Sequence, residues 1–227
     1  MELPDYLSTV ASQLVNELTP ILSIKGVTTN PDLLGKYTEA SVRNLVTRIV
    51  GPMRVCTGAV LDYPIPIPLR QIDLIIWAPF PAPAIFEVEG FGLVPKSSAF
   101  GVIEVKRSNY SGVEDSIEAF LADAESRKIV ANPVSTAEDL HPIAALAVIS
   151  VLEAPLSSRL QKLAEEKKLV AIFEATSAGT VVRARDVLNL VNFLHFVTWR
   201  YRIHTSSGSY PQLNTSVLDT GSGVTRG

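Results

Sequence analysis

The stretch Ala99-Phe100-Gly101-Val102-Ile103-Glu104-Val105-Lys106 decides how this chain is read. A run of apolar and small residues announces a core strand, yet it ends on a carboxylate and an ammonium group. Side chains alternate faces along a strand, so Glu104 and Lys106 share one face about 7 Å apart, while Ile103 and Val105 point the other way. Charges so placed are costly to bury unless they are paired, metal-bound or catalytic.

Working outward, Gln71 to Trp77 reads as the preceding strand, with Asp73 near its start. If the two strands are antiparallel neighbours, the start of the first lies beside the end of the second. Asp73 then meets Glu104 and Lys106, and Gln71 shares the face of Asp73. Upstream, a helix is predicted from about Leu33 or Gly35 to Val50, stopping at Gly51-Pro52. It buries Val42, Leu45, Val46, Ile49 and Val50. Glu39 precedes Val42 by three and Val46 by seven, which places it on the inward stripe. Three acids and a lysine suit a hard divalent cation. Mg²⁺ takes one or two carboxylates, waters and phosphate oxygens, and it acidifies a bound water. The expected chemistry is phosphodiester hydrolysis with Mg²⁺, for which Mn²⁺ substitutes. Lys106 would orient or deprotonate the water, or stabilise developing charge.

The totals fit that reading without demanding it. The chain has 227 residues, 47% of them hydrophobic and 19% charged, enough for one large globular domain. A net charge of −3 and a pI near 5.7 are not those of a strongly basic nucleic-acid binder. Contact with DNA would therefore need a local patch, with a metal ion adding positive charge. The single cysteine, Cys56, excludes an internal disulfide and a cysteine-cluster zinc site. The N-terminus lacks a basic secretory pattern, and Val187–Trp199 is shorter than the roughly 20 residues of a membrane span. A cytoplasmic protein with no membrane contact is expected, and a homodimer is compatible with the sequence.

Three regions follow. Residues 1–30 read as a helical extension, 31–204 as one α/β domain, and 205–227 as a flexible tail rich in Ser, Thr and Gly. Within the domain, strands are predicted at Val55–Leu61, Gln71–Trp77 and Ala99–Lys106, and a hairpin in the Pro-rich excursion at 85–94. A helix opens at Ser111-Gly112-Val113-Glu114 by the capping-box pattern. Ala144–Leu152 follows as a strand, parallel to 99–106 by the strand–helix–strand order. A helix near Ser157–Lys168, strands at Leu169–Phe173 and Thr180–Arg183, and a long helix from Asp186 to about Ile203 complete the order.

The combination Gln71-x-Asp73, then Glu104-x-Lys106, with Glu39 on the preceding helix, resembles the PD-(D/E)xK nuclease superfamily. More narrowly, Gly35-x-x-x-Glu39, Arg70-Gln71-Ile72-Asp73 and Val102-Ile103-Glu104-Val105-Lys106 resemble a bacterial branch with a restriction-endonuclease-like fold. The resemblance spans about residues 33–150. It implies an αβββαβ core, a mixed sheet flanked by helices, with an extra N-terminal helix and a C-terminal helical region. It further implies that Asp73 and Glu104 hold the metal with help from the Val105 carbonyl and Glu39, that Lys106 is catalytic with Glu39 accessory, and that the substrate is DNA. Ile72 stands where the superfamily carries proline.

Other residues have plainer readings. Arg70, Gln71 and Arg107 are the candidate substrate contacts, weighed against ordinary solvation. Arg43, Lys96 and Lys128 are surface charges or parts of a basic patch. His141, His195 and His204 show no ligand spacing. Cys56 reads as a small buried hydrophobe, and Trp77 and Trp199 as core aromatics. The competing functional reading is a catalytically inactive nuclease-like fold that binds nucleic acid or protein, motivated by the acidic pI. An RNA- or nucleotide-directed hydrolase keeps the chemistry and changes the substrate.

Overall fold

Asn30-Pro31 sets where the first helix starts. In the computed structural model, which describes residues 28–61, 69–80, 82–107, 111–126, 144–152, 157–167, 170–176, 179–182 and 184–206 together with Thr9, helix α1 runs Pro31–Ile49. The Asn30 side chain accepts from the Asp32 and Leu33 amides, and Pro31 occupies the first turn. Both features favour a helix start, so α1 begins earlier than its apolar stripe alone predicts. The predicted helical extension at residues 1–30, apart from helical Thr9 and residues 28–30, and the tail beyond residue 206 lie outside the described residues.

The strands are β1 (Arg54–Leu61), β2 (Ile72–Trp77), β3 (Phe86–Val88), β4 (Phe91–Pro95), β5 (Ala99–Lys106), β6 (Ala144–Leu152), β7 (Val170–Thr176) and β8 (Gly179–Val182). The other helices are α2 (Val113–Ser126), α3 (Ser158–Lys167) and α4 (Ala184–Ser206). The strands form a single mixed sheet in the order β3-β4-β1-β2-β5-β6-β7-β8. β2 is antiparallel to both β1 and β5, and β5 and β6 are parallel across the α2 connection, as the element order requires.

The Pro-rich excursion folds as the antiparallel hairpin β3–β4. Its turn residues Glu89 and Gly90 both have positive φ, the pattern of a two-residue type I′ turn. The hairpin attaches to the sheet through a parallel β1–β4 pairing. Gly58 and Gly92 meet there so closely that a Cβ on Gly58 would stand 1.8 Å from the Gly92 carbonyl oxygen. α2 starts at Val113 rather than Ser111, because Gly112 at φ +91° is not helical.

Two apolar layers cover the sheet. On one face Leu74, Ile76, Phe100, Ile103 and Val105 pack with Val42, Leu45 and Val46 of α1 and Leu190, Phe193, Leu194 and Val197 of α4. On the other, Cys56, Ile75, Trp77 and Val102 pack with Val113, Ile117 and Phe120 of α2 and Leu160 and Leu163 of α3. Leu74/Ile76 and Ile75/Trp77 thus divide by alternation, as β2 demands. Trp199 corrects the core reading: its side chain is 57% exposed on the outer face of α4.

Candidate functional site

The β2–β5 register builds the site. Leu74 pairs with Ile103, and one step further along the ladder sets Asp73 opposite Glu104. The Val105 amide donates to Asp73 Oδ2 at 2.8 Å. Lys106 Nζ donates to Glu104 Oε1 at 2.6 Å. Sequence reasoning placed these three side chains together, and the structure does so.

Glu104 is 5% exposed. A buried carboxylate is tolerated only with partners, and its Oε1 has two: Lys106, and Arg70 Nη2 at 3.4 Å. Arg70 is itself held with its guanidinium over the Phe120 ring of α2, 5.3 Å from the centroid. Arg70 therefore belongs to the charge network of Glu104. The second oxygen, Oε2, is buried and accepts no hydrogen bond in the structure.

Asp73 is half-buried, and burial pushes its carboxyl up to about 6, with the nearby Glu104 charge adding to the rise. The Val105 N–H opposes that shift. Glu39, also half-buried, is likewise raised by burial, while the charges of Arg43 and Lys106 counter the rise and Glu104 reinforces it. Glu39 thus lies within electrostatic reach of the pair. Among the described residues, no group of three or more His, Cys, Asp or Glu side chains converges as a metal-binding cluster. The oxygens that could hold a hard cation are the Asp73 and Glu104 carboxylates, which the β2–β5 register sets beside each other. Two carboxylates completed by waters and phosphate oxygens suffice for Mg²⁺, and the orphaned Glu104 Oε2 supplies a buried oxygen without another partner. The residues fit the ion.

The remaining candidates separate. Gln71 is exposed to solvent. Arg107, directly after β5, carries a buried Nη1 with no hydrogen-bond acceptor in the structure. Cys56 is fully buried, and burial pushes its thiol up to about 11, as befits a core residue. Two residues at the site carried no such expectation in the sequence. Thr57 donates its hydroxyl to the Asp73 carbonyl at 2.8 Å and accepts a hydrogen bond from Arg43 Nη2. Nothing in apolar periodicity marks a threonine for that contact.

No protein-family model and no curated protein matches this sequence. Solved structures do. NucC of E. coli MS115-1 in its cAAA-bound form superposes with a TM-score of 0.55 over 88% of this chain and 93% of that one, at 12% identity. The fold is similar to that of NucC. The cAAA-bound NucC of P. aeruginosa ATCC27853 matches with a TM-score of 0.55 at 14% identity, covering 88% of this chain and 92% of that one. Apo E. coli NucC gives 0.50 at 12% identity, over 95% and 97%. What is shared with NucC is a nuclease-like α/β fold, and the chemistry must be argued from this chain's own side chains. No helix among the described residues is long and apolar enough to cross a membrane.

Proposed function

We propose that the chain is a Mg²⁺-dependent nuclease that hydrolyses DNA phosphodiester bonds at the Asp73–Glu104–Lys106 site. One observation carries the reading. Asp73 and Glu104 face each other across β2 and β5, and the buried Glu104 Oε2 has no hydrogen-bond partner while Oε1 is doubly paired. A purely structural ion pair has no use for a second carboxylate held against it, since like charges at that spacing repel. The two carboxylates would hold a Mg²⁺ ion, and its charge would relieve that repulsion. When bound, it would neutralise phosphate charge and acidify a water for attack.

The chain's own groups do the rest. The Val105 amide orients the Asp73 carboxylate, leaving its other oxygen available. Arg70 holds Glu104 from the α2 side. Lys106, on the Glu104 face, is placed to orient a water or to offset charge on the phosphate once a cation competes for Glu104. Glu39 would be the accessory acid, and Arg107, which directly follows β5, would contact phosphate.

The alternative is an inactive nuclease-like fold that binds nucleic acid or protein. The observation favouring it is that Lys106 and Arg70 already compensate the charge of Glu104 without any ion. The two readings part on Glu104→Ala and Lys106→Met. Purified wild type should cleave DNA in Mg²⁺, and each variant should lose about 10²-fold or more, the scale of removing a ligand or a charge-stabilising group. The assay is run with and without cAAA, the ligand of the NucC structures. Undiminished cleavage by Glu104→Ala would defeat the proposal.

A further inference from the structure

β1 and β2 do not keep step at the site. Cys56 pairs with Ile75 and Gly58 with Ile72, so Thr57 alone on β1 faces both Asp73 and Leu74 on β2. Asp73 therefore sits in a β-bulge, a feature that leaves a residue out of the ladder and re-aims its side chain. The displaced carbonyl of Asp73 is taken up by the Thr57 hydroxyl at 2.8 Å. That hydroxyl has one proton to give, and Arg43 Nη2 donates to its oxygen, which fixes the rotor toward Asp73. Arg43 stands one turn after Glu39 on α1. The Thr57 amide donates to the Gly90 carbonyl at 2.7 Å, and a Cβ on Gly90 would lie 3.5 Å from Arg43 Nη1. α1, β1 and the hairpin turn thus converge behind one bulged residue.

We infer that Arg43 and Thr57 are positioning residues for Asp73: the Arg43–Thr57 pair holds the bulged main chain so that the carboxylate reaches the Val105 amide and faces Glu104. The catalytic part of this inference rests on the nuclease reading, and the geometric part does not. Neither residue touches reacting atoms, yet outer partners that orient a metal ligand are typically worth about 10- to 100-fold in metal affinity or activity. A displacement of about 1 Å in a reacting group is worth about 10²-fold.

The Val105 amide is a reporter of the arrangement, because its acceptor is Asp73 Oδ2. Amide hydrogen exchange is measured on metal-free wild type, Thr57→Val, Thr57→Ser and Arg43→Gln, with the Ile103 amide of the same strand as reference. Thr57→Val and Arg43→Gln should exchange several-fold faster at Val105 with Ile103 unchanged, and Thr57→Ser should behave as wild type. The Mn²⁺ midpoint of thermal stabilisation should rise about 10- to 100-fold in Thr57→Val, and kcat should fall while KM holds. Unchanged Val105 exchange would overturn the inference, as would equal acceleration at Val105 and Ile103, which reports general loosening of the strand pair. If Thr57→Val does not fold, Arg43→Gln carries the same test. Absence of cleavage by every form, wild type included, would defeat the nuclease reading, while Val105 exchange still decides the positioning.

Discussion

Asp73 is charged against its surroundings, and that has a measurable cost. Its carboxyl lies near 6 in the fold against 3.8 when free, raised by burial first and Glu104 second. Between those values the folded state binds more protons than the unfolded state, so stability falls as pH rises through that window. Stability from this group is complete below about pH 4 and lost above about pH 6. A shift of about two pH units corresponds to about 3 kcal/mol. Asn at position 73 keeps an acceptor for the Val105 amide and carries no charge. Metal-free Asp73→Asn should therefore be more stable than wild type at pH 8, by up to about 3 kcal/mol, with the difference vanishing toward pH 4. Urea titrations across that range measure it, and a pH-independent difference would refute the assignment. At this scale much was legible in the sequence. Period-two alternation and the strand order bring Asp73, Glu104 and Lys106 together. Thr57 and Arg43 were not legible as Asp73's supports, because a bulge changes the residue count between strands without changing the apolar pattern.

Elements are joined at two glycines that leave no room for a side chain. Gly58 has φ +150°, and its Cβ would collide with the Gly92 carbonyl. Gly58→Ala should force β1 and β4 apart and cost about 3 kcal/mol or more, seen as an earlier chemical unfolding midpoint. At Gly101 a Cβ would stand 2.9 Å from Phe193 and Val197 of α4. Side chains can shift there, so Gly101→Ala should cost less, about 1–3 kcal/mol. Equal costs at the two positions would contradict this difference between backbone and side-chain contact. β5 and β6 have the bounds that their apolar runs predict. The antiparallel hairpin was legible from the length of the excursion and its two short apolar runs, whereas its parallel attachment to β1 was not, since that pairing depends on the path of the whole excursion.

For the whole molecule, a net charge of −3 makes a bound cation count. A ligand that binds only the folded state at about 100 times its Kd adds about 2.7 kcal/mol, or about 5–10 °C in a chain of this size. Mn²⁺ should raise the Tm of wild type by that amount and leave Asp73→Ala unmoved. An equal rise in both would place the ion elsewhere. The α/β architecture was legible at this scale because a strand–helix–strand order follows from β5 to β6 and makes them a parallel pair. The exposure of Trp199 was not, because helical periodicity does not say which face a neighbouring element covers. The most direct measurement is cleavage of supercoiled plasmid and single-stranded DNA by wild type in Mg²⁺, Mn²⁺ or EDTA, beside Asp73→Ala and Lys106→Ala. Metal-dependent cutting by wild type, abolished by EDTA and by both substitutions, is the expected result. No cutting by wild type under any condition, or cutting that survives Asp73→Ala, would contradict a metal-dependent nuclease site at the β2–β5 junction.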